Sequence, residues 1–247
     1  MARRFDIDRI LKEWHYQPGE ISARVVRAAD GREVLQMRVE MGVLQLETSG
    51  RPDGESPGGD TTYFEHLKKL AGTNGEGLLV LTNEQCAEAD REFVQYYHRR
   101  ICWLALREFR RAAEDADHTL AFMDFVRAHS PGEEWTLSHE QYRPFVLFHR
   151  TQAATLAKLD EDGAEAALQE LDSGLNRFRD LFVEYDAEDQ FEDDDLVTRL
   201  HELQDALREQ YHVEPSLSEQ LAAAVAAEQY ELAAQLRDEL RRRNKSA

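Results

Sequence analysis

The chain has 247 residues, 42% of them hydrophobic, and a formal net charge of −19 from 49 acidic and 30 basic side chains. A chain of this size and composition can bury a sizeable core in one large or two small domains. Its acidity opposes the phosphate backbone and argues against direct nucleic-acid binding.

The first residues, Met1-Ala-Arg3-Arg4-Phe5-Asp6, reach charge before any apolar stretch long enough for a signal peptide. No window resembles a transmembrane span, so a cytoplasmic protein with no membrane partner is expected. Ile21 to Glu47 then alternates apolar and polar residues in three runs rich in β-branched side chains. Asp30-Gly31 between the first two runs is a hairpin signal, and a small antiparallel sheet of two or three strands follows. Residues 48–61 are rich in Gly, Pro, Ser and Asp and read as a flexible loop.

From residue 62 the pattern is helical. Thr82 is placed to cap a long helix whose Phe93, Tyr97, Ile101 and Leu104 share a face. Ser138 with Gln141 has capping-box spacing, whereas Pro144 marks the alternative first turn. Cys86 and Cys102 fall on the long helix about 24 Å apart, too far for a bridge, so buried reduced thiols are expected. The run from Glu184 to Asp195 is acidic, without a base. It reads as a solvated linker whose last aspartates complement the dipole of a helix over 195–211.

Sites of chemistry are scarce. Gly54, Gly58 and Gly59 have the spacing of a phosphate loop, but Asp60 stands where a nucleotide-contacting lysine belongs. His139-Glu140 and His201-Glu202 begin a zinc-protease pattern, yet Arg143 and Asp205 replace the second histidine. Asp160, Asp162 and Gly163 lack the calcium-loop arrangement. His98 lies one helical turn from Cys102, but its aromatic neighbours Tyr97 and Trp103 point to packing rather than nucleophilic catalysis. Trp14, Trp103 and Trp135 read as core or groove residues. No catalytic, cofactor-binding or metal-ligating residue is assigned. Arg99, Arg100 and the stripe from Arg107 to Arg111 form a basic feature that reads as a solvated helix face able to receive an acidic segment.

Near the C-terminus, Leu217, Leu221, Ala224 and Val225 recur at helical spacing, and Ala233, Leu236 and Leu240 do so again after Glu228. Two short, alanine-rich amphipathic helices result, with an apolar stripe too thin to be stable alone. Glu228-Gln-Tyr230-Glu231-Leu-Ala233-Ala234, followed by Leu236-Arg237-Asp238, resembles the UVR motif, the helical hairpin of UvrB, UvrC and several Clp-protease-associated proteins. The resemblance implies docking on another such hairpin, with Leu221, Val225, Glu228, Tyr230, Ala233, Leu236, Arg237 and Leu240 as partner-binding residues. Tyr230 is then expected beside the turn, with Leu221, Val225, Leu236 and Leu240 filling the seam. Having only two cysteines, the chain differs from Clp-associated UVR proteins with zinc-binding Cys-x-x-Cys pairs.

A weaker internal likeness pairs Tyr97-His98-Arg99 with Phe148-His149-Arg150, and Ala112, Thr119 and Leu120 with Ala167, Gly174 and Leu175. Two helix pairs with small crossing residues resemble tetratricopeptide repeats, which implies a peptide-binding groove. The expected architecture is mainly α, or α+β overall. It comprises an N-terminal β element with a flexible loop over 1–61 and a tetratricopeptide-like body over 62–183. An acidic linker over 184–195 leads to a helix and the UVR-like hairpin over 196–247. The expected function is a non-enzymatic adaptor that docks through the hairpin and holds a partner segment in the helical groove. Its hairpin partner would be UvrB, UvrC, a Clp-associated protein or a second copy in a homodimer. The alternative is an accessory factor of nucleotide excision repair acting through UvrB or UvrC.

Overall fold

The computed structural model describes residues 6–73, 79–214 and 217–244. A short helix α1 (Asp8–Glu13) precedes a three-stranded antiparallel sheet in the order β1 (Ser22–Arg27), β2 (Glu33–Val39), β3 (Gly42–Glu47). Gly31, at φ 90°, turns β1 into β2, where its N–H donates to Ala28 O at 2.9 Å. Leu35 of the central strand pairs with Val25 on one side and Leu46 on the other. The buried face of the sheet, Leu35, Met37 and Leu46, packs on Ile101, Cys102 and Trp103 and on alanines 112, 113, 153 and 154. The sheet lies against the helix that carries Ile101, Cys102 and Trp103, and the small alanines of two further helices complete the shared core.

The Gly- and Pro-rich segment after β3 does not hang free. Arg51 is buried and meets Glu88 at 2.5 Å, Asp53 at 3.3 Å and Glu92 at 3.7 Å. Gly50 O accepts from Tyr96 Oη and from Arg99 Nη1. A loop rich in turn residues is thus strapped to the body by one guanidinium and one carbonyl, where composition alone suggested flexibility.

The body contains α2 (Tyr63–Thr73), α3 (Asn83–Ala105), α4 (Phe109–Ala128), α5 (Glu133–Glu140), α6 (Arg143–Asp162), α7 (Ala164–Glu184) and α8 (Asp195–Tyr211). Thr82 and Gln85 form a reciprocal capping box at the start of α3, and Pro144 sits in the first turn of α6, leaving Ser138 inside α5. On α3 the buried face differs from the expected one. Glu92, Tyr96, Arg99 and Cys102 are buried, whereas Tyr97 is exposed. The reason is pairing. Glu92 accepts from the N–H groups of Tyr63 (2.6 Å) and Phe64 (3.1 Å), capping α2, and Arg99 grips Asp115 at 2.7 Å.

The body is two stacked helical hairpins, α3/α4 and α6/α7, joined through α4 against α6. They span residues 83–128 and 143–184, both longer than the about 34 residues of a tetratricopeptide unit. The helix-pair duplication is therefore present without that family's dimensions. Nor is the acidic segment a free linker. Phe191 is buried edge-on to Phe182 at 5.6 Å, and Val197 and Leu200 of α8 share a core with Leu171, Leu175 and Phe178 of α7. Asp194 caps α8 by accepting from the N–H groups of Leu196 and Val197. The hydrophobic core thus runs past the expected boundary at 184–195 into α8. Two further helices, α9 (Leu217–Ala226) and α10 (Tyr230–Asn244), form the C-terminal hairpin. No helix among the described residues is long and apolar enough to cross a membrane.

Candidate functional site: the C-terminal hairpin

Helix α9 ends in a turn whose hydrogen bonds follow from the positive φ of Glu228, 56°. Gln229 N donates to Ala224 O at 2.8 Å and Glu228 N donates to Val225 O at 3.0 Å, the paired bonds of a Schellman cap. Glutamate in the left-handed region costs about 1 kcal/mol. Ala233 N then donates to Gln229 O at 2.9 Å and begins α10, where Glu231 in the first turn complements the helix dipole.

The seam between the helices is made of Ala224, Ala233 and Leu236, with Leu217 and Leu221 partly buried against them. Leu217, Leu221 and Ala224 are one stripe at steps of four and three. Val225, one residue on, is rotated by about 100° and points away. Val225 was expected in the seam; it is instead 53% exposed, and the smaller Ala224 fills the contact because the helices approach closely there. Leu240 is partly buried. Tyr230, the first residue of α10, stands beside the turn as expected and is 69% exposed. Glu228 and Leu232 border the same shallow depression as Tyr230. Arg237 lies exposed beside Asp238 at 3.2 Å. The predicted set therefore divides. Leu221, Ala233 and Leu236 build the hairpin, while Val225, Glu228, Tyr230 and Arg237 face outward. The side chains of Ala222, Ala223 and Ala226, residues 1–5 and residues 215, 216 and 245–247 lie outside the described ones.

Elsewhere the sequence candidates are structural. Burial pushes the Cys102 thiol up to about 12 and raises that of Cys86, so both stay protonated. His98 is half-buried, and that burial lowers its pKa. His139 Nε2 meets Asp90 at 2.8 Å, and Trp135 Nε1 donates to the same carboxylate at 3.0 Å. Trp14 Nε1 donates to Ser22 Oγ, and Trp103 is in the core under Arg111. Asp60 of the glycine-rich segment is engaged by Lys69 and His66. Among the described residues no cluster of three or more His, Cys, Asp or Glu is arranged to hold a metal.

The basic stripe divides: Arg107 and Arg110 are exposed, as its sequence suggests, and Arg111 is partly so, whereas Arg99 and Arg100 are buried. Arg99 and Arg100 are 4% and 2% exposed, Arg110 pairs with Glu161, and Arg107 and Arg111 lie over Phe109 and Trp103. Hydrophobic periodicity assigns arginines to water, so it could not reveal those buried by pairing.

Comparison with curated proteins and with solved structures returned no match. The family model described as UvrB/uvrC motif matches residues 215–244, and the C-terminal hairpin of this chain is accordingly a UVR motif.

Proposed function

We propose that the chain is a non-enzymatic cytoplasmic adaptor that docks through its UVR hairpin onto a second UVR hairpin. The observation that carries this reading is the division of apolar residues in the hairpin. Among the described residues its seam buries Ala224, Ala233 and Leu236, while Tyr230, Val225 and Leu232 are 69%, 53% and 44% exposed. Alanines bury little area, so the hairpin gains little from its own seam. An exposed aromatic flanked by aliphatic residues is what an interface would cover. The seam also forms a hydrophobic cluster separate from those of the body, as expected for an appended module.

The partner hairpin is that of UvrB, of UvrC, of a Clp-associated protein or of a second copy. Fluorescence anisotropy with labelled hairpins of UvrB and UvrC, together with light scattering of the free chain, tests the role. Binding or self-association should disappear when residues 215–244 are removed. A monomer that binds none of these hairpins would overturn the docking role, and recovery of binding to UvrB or UvrC alone would favour the excision-repair reading.

A further inference from the structure

A groove of about 690 Å³ opens in the body among α3, α4, α5 and α6, far larger than a packing defect and of the size that holds small ligands. Its walls are apolar, with Phe93, Val94, Tyr97, Met123 and Phe145 among the lining residues. Phe93, Val94, Tyr97 and Arg100 follow one face of α3, a run of about 10 Å at the helical rise. Val94, Tyr142 and Phe145 are large apolar side chains left exposed along this groove.

At one end lies Arg100. It is 2% exposed, yet it borders the groove, and its two hydrogen bonds go to neutral acceptors: Nε to His149 Nδ1 at 3.3 Å and Nη1 to Thr119 Oγ1 at 3.1 Å. His149 is neutral because burial, and secondarily Arg100, lower it to about 4, which leaves Nδ1 free to accept. The nearby buried carboxylate, Asp115, spends both oxygens on Arg99. Among the described residues no carboxylate comes within ion-pair distance of Arg100. Burial lowers its pKa to about 10, so it remains a cation at neutral pH. A buried charge normally finds a counter-ion within the protein. A molecule of net charge −19 has carboxylates to spare and supplies none here. Asp90, the acidic lining residue, is ten positions earlier on α3, about 15 Å along the axis, and is held by His139 and Trp135.

We infer that this groove binds a small amphipathic carboxylate, an aliphatic or aromatic acid about 10 Å long, with its carboxylate on Arg100 and its apolar body along Phe93, Val94, Tyr97 and Phe145. A guanidinium whose own hydrogen bonds go to neutral acceptors suits a monoanion, which it can receive in two parallel hydrogen bonds. The site goes beyond hairpin docking and shares no residue with it.

Octanoate and its uncharged counterpart octanamide are the probes, titrated calorimetrically into the full chain. Octanoate should bind one per chain, and octanamide at least about tenfold more weakly. Val94→Trp, at an exposed position on the groove wall, should abolish octanoate binding with the fold intact by circular dichroism. Arg100→Gln, if folded, should bind the two probes alike; if it unfolds, the amide comparison and Val94→Trp decide. Equal binding of both probes by the intact chain, unchanged binding by Val94→Trp, or no saturable binding of octanoate would each overturn the inference. So would binding of a peptide through its terminal carboxylate without any of octanoate. Light scattering of the same samples reports hairpin association separately, so failure of one reading is distinguishable from failure of the other.

Discussion

The two body hairpins carry matching residues in matching places and use them differently. Tyr97-His98-Arg99 on α3 corresponds to Phe148-His149-Arg150 on α6, and Ala112 and Thr119 on α4 correspond to Ala167 and Gly174 on α7. In each hairpin the arginine reaches a carboxylate on the second helix, Arg99 to Asp115 and Arg150 to Glu170. The first pair is buried, and the second is partly open to solvent and shared with Asp117. One residue further along, Arg100 meets Thr119 in the first hairpin, whereas Thr151 meets Gly174 in the second. A guanidinium props the first crossing open and a glycine closes the second. The groove lies beside the propped crossing, so exchange of two side chains separates a crossing that borders a groove from one that is solid core.

The sharpest way to break this comparison is to remove the buried carboxylate. Asp115→Ala leaves Arg99 without its partner beside an already unpaired Arg100, and breaking a buried pair in this way costs about 3–5 kcal/mol. The corresponding Glu170→Ala, at a partly exposed pair, should cost about 1 kcal/mol or less. Urea denaturation of both variants checks the contrast, and equal losses would mean that the two pairs are not differently buried in solution.

The corresponding histidines should separate next. His149 titrates at about 4 when folded against an ordinary 6.5, through burial first and Arg100 second. Between those values the unfolded chain binds more protons than the folded one, so stability falls as pH drops from about 6.5 to about 4, by on the order of 3 kcal/mol. His149→Gln keeps an acceptor for Arg100 and should flatten that acid limb. His98→Gln should flatten it less, because His98 is only half-buried and its pKa is lowered by that burial alone. Denaturation midpoints across the pH range measure both.

Which parts of this were legible in the residues follows from what periodicity can register. The Asp30-Gly31 turn, the Thr82 cap, the proline start of α6 and the span 195–211 all rest on local backbone chemistry and are visible in sequence. Arg51, Glu92, Arg99 and Arg100 were not, because a charged side chain reads as surface until its partner, tens of residues away, is known. Phe191 was hidden among carboxylates for the same reason: one aromatic anchors a segment whose other residues face water. In the tail, Ala224 was outranked by Val225, since alanine gives almost no hydrophobic signal even where its small size decides the contact.

The closed crossing offers a smaller effect. A Cβ at Gly174 would lie 2.1 Å from Thr151 Cγ2 and 2.9 Å from Thr151 Cβ. Gly174→Ala should therefore destabilise by about 1–2 kcal/mol, overpacking outweighing the roughly 1 kcal/mol that alanine gains in a helix. In a Thr151→Ala background the worst contact disappears and the penalty should shrink. If Gly174→Ala stabilised the intact protein, the two crossings would not differ in spacing and the comparison would fail.

The smallest effect on folding is expected in the tail hairpin, at the exposed Tyr230. Tyr230 is 69% exposed and belongs to no hydrophobic cluster among the described residues, so Tyr230→Ala should change folding stability by less than about 0.5 kcal/mol. Its effect should appear in association instead, where loss of a central aromatic weakens binding by at least about tenfold. Ala224→Asp, which places a carboxylate in the seam against Ala233 and Leu236, should do the reverse, melting α9 and α10 before any partner is present. Circular dichroism separates the two variants from each other, and anisotropy with a labelled UVR hairpin separates both from the intact chain. A Tyr230→Ala variant that lost helicity while Ala224→Asp kept it would invert the assignment of inner and outer faces, and the exposed face could no longer be the one that docks.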